Sequence, residues 1–280
     1  MIINTEASRC DVMVDVYPSF RCNYSCAYCC SRHSKQRHNS ELNLDDFKDV
    51  LNVIKSYDKS VCFAILGGEP TLYKGLMKLI LMVSEVSQIE EIELYSNGTN
   101  DLSKYLLPKV IPIVSIHTKY FKKYEERILE NIKPLRDIKH RIKIMVEGDK
   151  NLLEYIFDKL RGYNVYADYI EDIDTDTIEV KSIKVPELEE RKVIDFNGKM
   201  MSMFQYLRFI KLLKNRTCYP REIEIFPDLS SRTCCDLARS SGSKEDFKRV
   251  YAEFIKSLRT IECDRRCCYI EYDKEIRKSQ

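Results

Sequence analysis

Val12-Met-Val-Asp-Val-Tyr-Pro-Ser-Phe-Arg-Cys22-Asn-Tyr-Ser-Cys26-Ala-Tyr-Cys29 runs an apolar segment directly into a loop that carries three thiols within eight residues. The alternating valines predict a strand over Val12 to Tyr17. Cys22, Cys26 and Cys29 then sit close enough along the chain to wrap one inorganic centre. Three protein thiolates on a four-iron cubane leave one iron open to a small chelating molecule, as the open position of a catalytic zinc does. A zinc site or a redox thiol pair uses the same spacing, so the loop alone leaves these readings side by side.

Working outward, short apolar runs alternate with helical patterns, the signature of repeated strand-helix units around a parallel sheet. The predicted strands are Val12 to Tyr17, Val61 to Leu66, Glu91 to Tyr95, Ile111 to Ile116, Ile142 to Val146 and Asn164 to Tyr169, apolar enough for burial on both faces. Leu44-Phe47-Val50-Leu51-Ile54 and Leu76-Leu79-Ile80-Val83 repeat at helical spacing, as do Lys122 to Asn131 and Leu152 to Leu160 more loosely. Asn43 and Asp101 are the expected N-caps. Six units are fewer than the eight of a closed barrel, so the expected fold is α/β, a partial (β/α)6 barrel over residues 1–170. Cys22, Gly67, Asn97 and His117 all fall where chain leaves a strand, the end at which such folds gather their chemistry. An acidic run and Pro186 mark residues 171–200 as linker and end of barrel, leaving 201–280 as a small cysteine-rich C-terminal domain. There Met203 to Leu213 reads as a helix, Glu222 to Phe226 as a strand entering a turn at Pro227-Asp228, and Lys244 to Leu258 as an amphipathic helix.

The 280 residues are 44% apolar and 32% charged, which describes a folded globular chain. A formal net charge of +2 with both signs dispersed advertises neither nucleic acid nor an anionic membrane. The N-terminus has no basic start followed by an apolar run, and no stretch approaches the ~18 apolar residues of a membrane span, so the expected location is the cytoplasm. Twelve cysteines in a reducing compartment point to metal or cluster ligation rather than disulfides.

Cys-x3-Cys-x2-Cys after the first strand, Gly67-Gly68-Glu69-Pro70 at the end of the second and Ser96-Asn97-Gly98-Thr99 after the third together resemble the radical S-adenosylmethionine (SAM) enzymes. The resemblance implies a 4Fe-4S cluster on Cys22, Cys26 and Cys29, with SAM bound beside it. Adjacent glycines admit a close ligand and a carboxylate pairs with a cation, so Gly67, Gly68 and Glu69 are assigned to the SAM ammonium. Glu69 as a solvated acid at a helix start is the alternative. Tyr28 is expected near the adenine or packed under the loop, Ser96 and Ser115 at the ribose or carboxylate or satisfying only local backbone, and Asn97 is a further cofactor-binding candidate. His117 and Glu147, at later strand ends, are the catalytic candidates for substrate or proton handling, although a lone histidine also serves structure.

Cys218 and Cys234 flank Ile223-Glu-Ile-Phe-Pro-Asp-Leu229, which is similar to the hairpin of the twitch and SPASM auxiliary-cluster domains attached to many of these enzymes. Leu229 replaces the usual glycine, a poor residue for the tight turn. The resemblance implies a second 4Fe-4S cluster on Cys218, Cys234, Cys263 and Cys267, while a four-thiolate zinc site suits the same residues. Adjacent cysteines on extended chain point opposite ways, so one member each of Cys234/Cys235 and Cys267/Cys268 is expected to ligate. Cys10, Cys30 and Cys62 read as buried or spare thiols.

The resemblance implies reductive cleavage of SAM to a 5′-deoxyadenosyl radical that abstracts hydrogen from a substrate, with a flavodoxin or ferredoxin as reductant and the auxiliary cluster serving electron transfer. With 21 residues before Cys22, a small molecule, sugar or nucleotide is the expected substrate. A ribosomal peptide or a nucleic-acid base is the alternative. A noncatalytic zinc or iron-sulfur scaffold is the reading of another class, and it leaves the glycine-rich motif unexplained.

Overall fold

A computed structural model describes residues 10–26, 29, 40–146, 150–169, 192–194, 200–202, 216–218, 222–232, 243–257 and 261–263. Six parallel strands follow one another in chain order across a sheet: β1 (Val12–Val16), β2 (Val61–Ile65), β3 (Ile89–Ser96), β4 (Val110–His117), β5 (Arg141–Val146) and β6 (Val165–Tyr169). Helices α1 (Leu44–Lys55), α2 (Leu76–Ser84), α3 (Thr118–Ile132) and α4 (Lys150–Lys159) alternate with them. The register aligns Val14, Phe63, Ile92 and Val110 in one row. That row is buried with Phe47 and Ile54 of α1 and Leu79 and Ile80 of α2 in a single core, each large side chain contributing roughly 1.5–3 kcal/mol.

Local chemistry starts the helices unequally. Asn43 caps α1, its side chain accepting from Asp45 N at 2.9 Å, and Asp45 and Asp46 complement the helix dipole. Asp101 accepts from Ser103 N at 2.9 Å and so opens a single 3₁₀ turn, Ser103–Tyr105, rather than an α-helix. The strands alternate. Their other, inward face is also buried, as the apolar runs predict, with Ala64, Ile111 and Ile113 in it, but it carries Asp15, Glu93, Tyr95, Ser115, Arg141 and Lys143 as well. Glu93 ties this face together, accepting from Tyr95 Oη at 2.9 Å and pairing with Arg141.

The sheet does not stop at β1. β10 (Glu222–Ile225) lies parallel to β1, Val14 opposite Ile223 and Val16 opposite Ile225, and β11 (Ser231–Arg232) turns back antiparallel to it. The strand of the expected auxiliary hairpin therefore continues the barrel sheet and covers the edge of β1. Ile223 and Ile225 enter the common core, and Phe226 stacks on Tyr17 with ring centroids 5.2 Å apart. α5 (Lys244–Ser257) adds Phe247 and Tyr251 to that core, Tyr251 meeting Tyr57 edge-on at 5.4 Å. The turn after β10 forms despite Leu229, which takes φ 60°. Its N–H reaches Phe226 O at 2.9 Å, while Asp228 accepts from Ser230 N at 3.1 Å.

Two short ribbons pair β7 (Lys192–Ile194) with β8 (Met200–Ser202) and β9 (Arg216–Cys218) with β12 (Ile261–Cys263). Cys10 and Cys62 are not spare thiols: they form a disulfide, Cα atoms 5.6 Å apart, because the approach to β1 runs beside the start of β2. Tyr28, Cys30, Glu147, Cys234, Cys267 and the expected helix Met203 to Leu213 lie outside the described residues.

Candidate active site

The glycine motif first solves a crossing problem. After β1 the chain passes over the end of β2, Gly68 N donating to Ser19 O at 3.0 Å and Glu69 N to Arg21 O at 2.7 Å. A Cβ on Gly67 would stand 2.3 Å from Ser19 O, and one on Gly68 2.2 Å from Arg21 O. Only glycine allows this approach, and Gly67 also needs it for its φ of +130°. The chain leaving this crossing is the thiol loop. Arg21 anchors its start through Glu41, at 3.1 Å, and Leu72 O, at 2.5 Å.

Glu69 is 1% exposed, so it is not the solvated acid of the alternative reading. Its Oε1 accepts from Thr71 N (3.2 Å), Thr71 Oγ1 (2.6 Å) and Ser96 Oγ (2.9 Å), and its Oε2 from Asn97 N (2.7 Å). Burial pushes the carboxyl pKa up, and these donors pull against it. A carboxylate offers about four lone-pair sites, two on each oxygen, so Oε2 keeps capacity for one more donor such as an ammonium. The third motif is bound to the thiol loop in turn. Asn97 Nδ2 donates to Asn23 Oδ1 at 2.7 Å, Asn23 Nδ2 to Thr99 Oγ1 at 2.7 Å, and Asn97 Oδ1 accepts from Thr99 N at 3.0 Å. Asn23 was missed from the sequence because an amide between two cysteines carries no signal until its partner strand end is known.

Cys22 is exposed, Cys29 half-buried and Cys26 buried, and none of the three is in a disulfide. Burial pushes the Cys22 thiol up to about 11, the Tyr24 N–H opposes this at 3.3 Å from Sγ, and Glu69, Cys26 and Cys29 add to the rise. Three neighbouring thiolates repel one another, an iron-sulfur cluster would supply the positive centre that offsets this, and a backbone N–H on sulfur suits that centre. Among the described residues no three His, Cys, Asp or Glu side chains are drawn together tightly enough for one metal ion. A cubane sets each thiolate on a separate iron, so this donor set fits it.

The loop rests on α3. Tyr24 stacks on Tyr120 at 4.2 Å and 12°, lies 5.6 Å from Tyr124, and meets His117 edge-on at 5.5 Å. Ser25 N donates to Tyr120 Oη at 3.0 Å. His117 Nδ1 is 3.6 Å from Cys26 Sγ, which places this catalytic candidate against one of the three loop thiols. Burial and then the charge of Lys143 push its pKa down to about 4, leaving a neutral ring at pH 7. Ser115, half-buried on β4, is in register with Lys143. Farther along the chain, Cys218 stands opposite Ile261 and Cys263 opposite Arg216, one diagonal step apart on the β9–β12 ribbon.

The Radical SAM superfamily model matches residues 16–174. GTP 3′,8-cyclase of Clostridium perfringens (strain SM101 / Type A) is 35% identical over 86 residues, 28% of this chain and 24% of that protein. The same-named protein of Peptoclostridium acidaminophilum is 28% identical over 136 residues, 42% of this chain and 40% of that one. The chain thus spans about a quarter to two fifths of the length of these curated relatives. Among solved structures, Streptococcus suis SuiB bound to precursor peptide SuiA superposes with a TM-score of 0.60 at 15% identity, over 89% of this chain and 65% of that one. Native anSMEcpe with bound AdoMet and Cp18Cys peptide gives 0.57 at 17%, over 88% of this chain and 80% of that one. At these identities the likeness is one of fold. The family match covers more than half of the sequence and contains all three motifs whose side chains the structure knits together, and the chain belongs to the radical SAM superfamily.

Proposed function

We propose that this radical SAM enzyme binds SAM between the thiol loop and the ends of β2 and β3 and removes a hydrogen atom from a small molecule, sugar or nucleotide. The observation that carries the reading is the Glu69 network, which locks the loop bearing Cys22, Cys26 and Cys29 to two further strand ends. Cys22, Cys26 and Cys29 would hold a 4Fe-4S cluster, the remaining acceptor site of Glu69 and the carbonyls around Gly67 and Gly68 the SAM ammonium, and Tyr28 the adenine. Ser96 and Asn97 are engaged in the network, so their part is to set Glu69 and the loop; Ser115 remains the candidate for ribose or carboxylate. The cluster and SAM, when bound, supply the electron and the carbon radical. The protein places the substrate against them, and the polar inward face with Lys143 and Ser115 suits a hydrogen-bonding substrate.

Residues 1–170 would form the barrel core, 171–200 its end and linker, and 201–280 the auxiliary region, where Cys218, Cys234, Cys263 and Cys267 would hold a second 4Fe-4S cluster for electron transfer. The adjacency of Cys218 and Cys263 on one ribbon favours a shared centre. A peptide substrate is the second reading, favoured by the fold likeness to SuiB, whose structure holds precursor peptide SuiA. The reductant would be a flavodoxin or ferredoxin. No helix of the described residues is long and apolar enough to cross a membrane.

The test is anaerobic reconstitution, dithionite reduction with SAM, and assay for 5′-deoxyadenosine beside a metal count. Product with about eight irons supports both centres. Product with about four removes the auxiliary cluster, and stoichiometric zinc without product replaces the enzyme by the scaffold.

A further inference from the structure

Helices α2, α3 and α4 all start without an acid in the first turn, and the start of α3 is the one packed beside the thiol loop. α1 and α5 place acids in their first turns, Asp45 and Asp46 in one, Glu245 and Asp246 in the other. α3 has neither a first-turn acid nor a side-chain cap, and its first two turns instead expose Lys119, Lys122 and Lys123. Lysines facing the positive end of a helix dipole oppose its formation, most strongly in the first turn. Among the described residues none of the three is in an ion pair. Glu125, the nearest following acid, is taken by Lys159 at 3.2 Å and by Tyr155 Oη at 2.7 Å. Three exposed cations with no ion pair among the described residues leave a positive surface open to an acidic partner.

That surface is continuous with the thiol loop. Lys119 Nζ lies 5.9 Å from the Tyr120 ring centroid and Lys123 Nζ 5.0 Å from that of Tyr124. Those two rings are the ones on which Tyr24 stacks, between Cys22 and Cys26. The cationic patch is therefore one aromatic layer from the loop, on the solvent side of the helix, away from the inward sheet face where a substrate would lie. In sequence the chain from Cys22 to Ser40 adds Arg32, Lys35 and Arg37 and contains no acid.

We infer that Lys119, Lys122 and Lys123 dock an acidic one-electron carrier protein beside the cluster loop; the inference rests on the radical SAM reading above. One electron passes from the reduced carrier to the oxidised cluster, with no bond made or broken and no proton moved. Opposite charge on the carrier brings its redox group to the exposed side of the loop and speeds encounter at low salt.

The experiment reverses the patch in the full, reconstituted chain, Lys119→Glu with Lys122→Glu and Lys123→Glu, and compares two reductants. With dithionite, 5′-deoxyadenosine formation stays within about twofold of the unaltered protein. With reduced flavodoxin as the acidic carrier, the rate falls about tenfold or more at low ionic strength, and the steep salt dependence of the unaltered protein disappears. The acids now match the dipole, so thermal stability holds or rises, which separates docking from folding. An unchanged flavodoxin-driven rate overturns the inference, as does an equal loss with both reductants. Absence of product from the unaltered protein with dithionite sinks the enzyme reading itself, and the docking site with it.

Discussion

Two turns at the same end of the sheet solve the same backbone problem with opposite residues. After β2 the chain needs a left-handed conformation and uses Gly67, while after β10 it needs one and uses Leu229. The difference lies in what comes near. The carbonyls of Ser19 and Arg21 would meet any Cβ on Gly67 or Gly68, whereas Leu229 leans its side chain on the core from a half-buried position. Strain of about 1–2 kcal/mol is tolerable where the side chain finds apolar contact. A backbone collision has no such remedy. Glycine is thus demanded by the approach of the thiol loop, and left-handedness alone does not demand it.

Gly68→Ala is the most severe test of this contrast. A Cβ 2.2 Å from Arg21 O forces the crossing apart, and we expect iron content after reconstitution and 5′-deoxyadenosine formation to fall at least tenfold, with about 4 kcal/mol or more lost from stability. Normal iron loading would break the comparison. At the opposite end of the same two strands, reducing the Cys10–Cys62 disulfide opens a loop of 52 residues, which chain entropy values at about 4 kcal/mol. Denaturant titration with and without dithiothreitol should show that loss while iron loading stays unchanged, so that stability and loop placement separate. Glu69→Gln retains the shape but turns one carboxylate oxygen into an amide donor facing Asn97 N or the Thr71 hydroxyl and N–H. We expect about 2–3 kcal/mol of destabilisation and weaker SAM binding by calorimetry; a neutral result would mean the network does not hold the loop. His117→Leu removes the ring nitrogen beside Cys26 Sγ. With Nδ1 as donor, a bond ~1 kcal/mol stronger to the reduced cluster than to the oxidised one would, when lost, lower the one-electron potential by roughly 40 mV in a redox titration, and an unchanged potential would return His117 to a packing role. Leu229→Gly should change stability by less than about 1 kcal/mol, relief of strain offsetting lost packing, and a loss well beyond that would show that Leu229 is required as firmly as Gly68.

The six barrel strands were legible within one or two residues at most boundaries, because each is a β-branched run whose helix-side residues recur at period two. The three motifs were legible for the same reason that they work: strand ends in a parallel sheet converge, so residues remote in sequence become neighbours. Pairing across the sheet was not legible. Nothing in Glu222-Ile-Glu-Ile225 says that its partner is β1, since any exposed parallel edge accepts such a run. Asp15, Glu93, Arg141 and Lys143 were read past because single charges within apolar runs vanish into the average, although their alternation places them together on the inward face. The disulfide was hidden behind the expectation of a reducing compartment. The role of Asn23 needs its position opposite Asn97, which only the crossing at Gly67 and Gly68 creates.

The junction of β10 with β1 also sets an order of events during synthesis. Tyr17 and Glu224, joined by a 2.9 Å hydrogen bond, are 207 residues apart. At roughly 5–20 residues per second, a nascent chain exposes the unpaired edge of β1 for about 10–40 s before its partner emerges. Non-local pairing of this kind is slow to form, and an open edge recruits other strands meanwhile. A chain ended before β10 keeps that edge permanently, so shortened forms of this enzyme should be judged first by whether they aggregate and only then by whether they react.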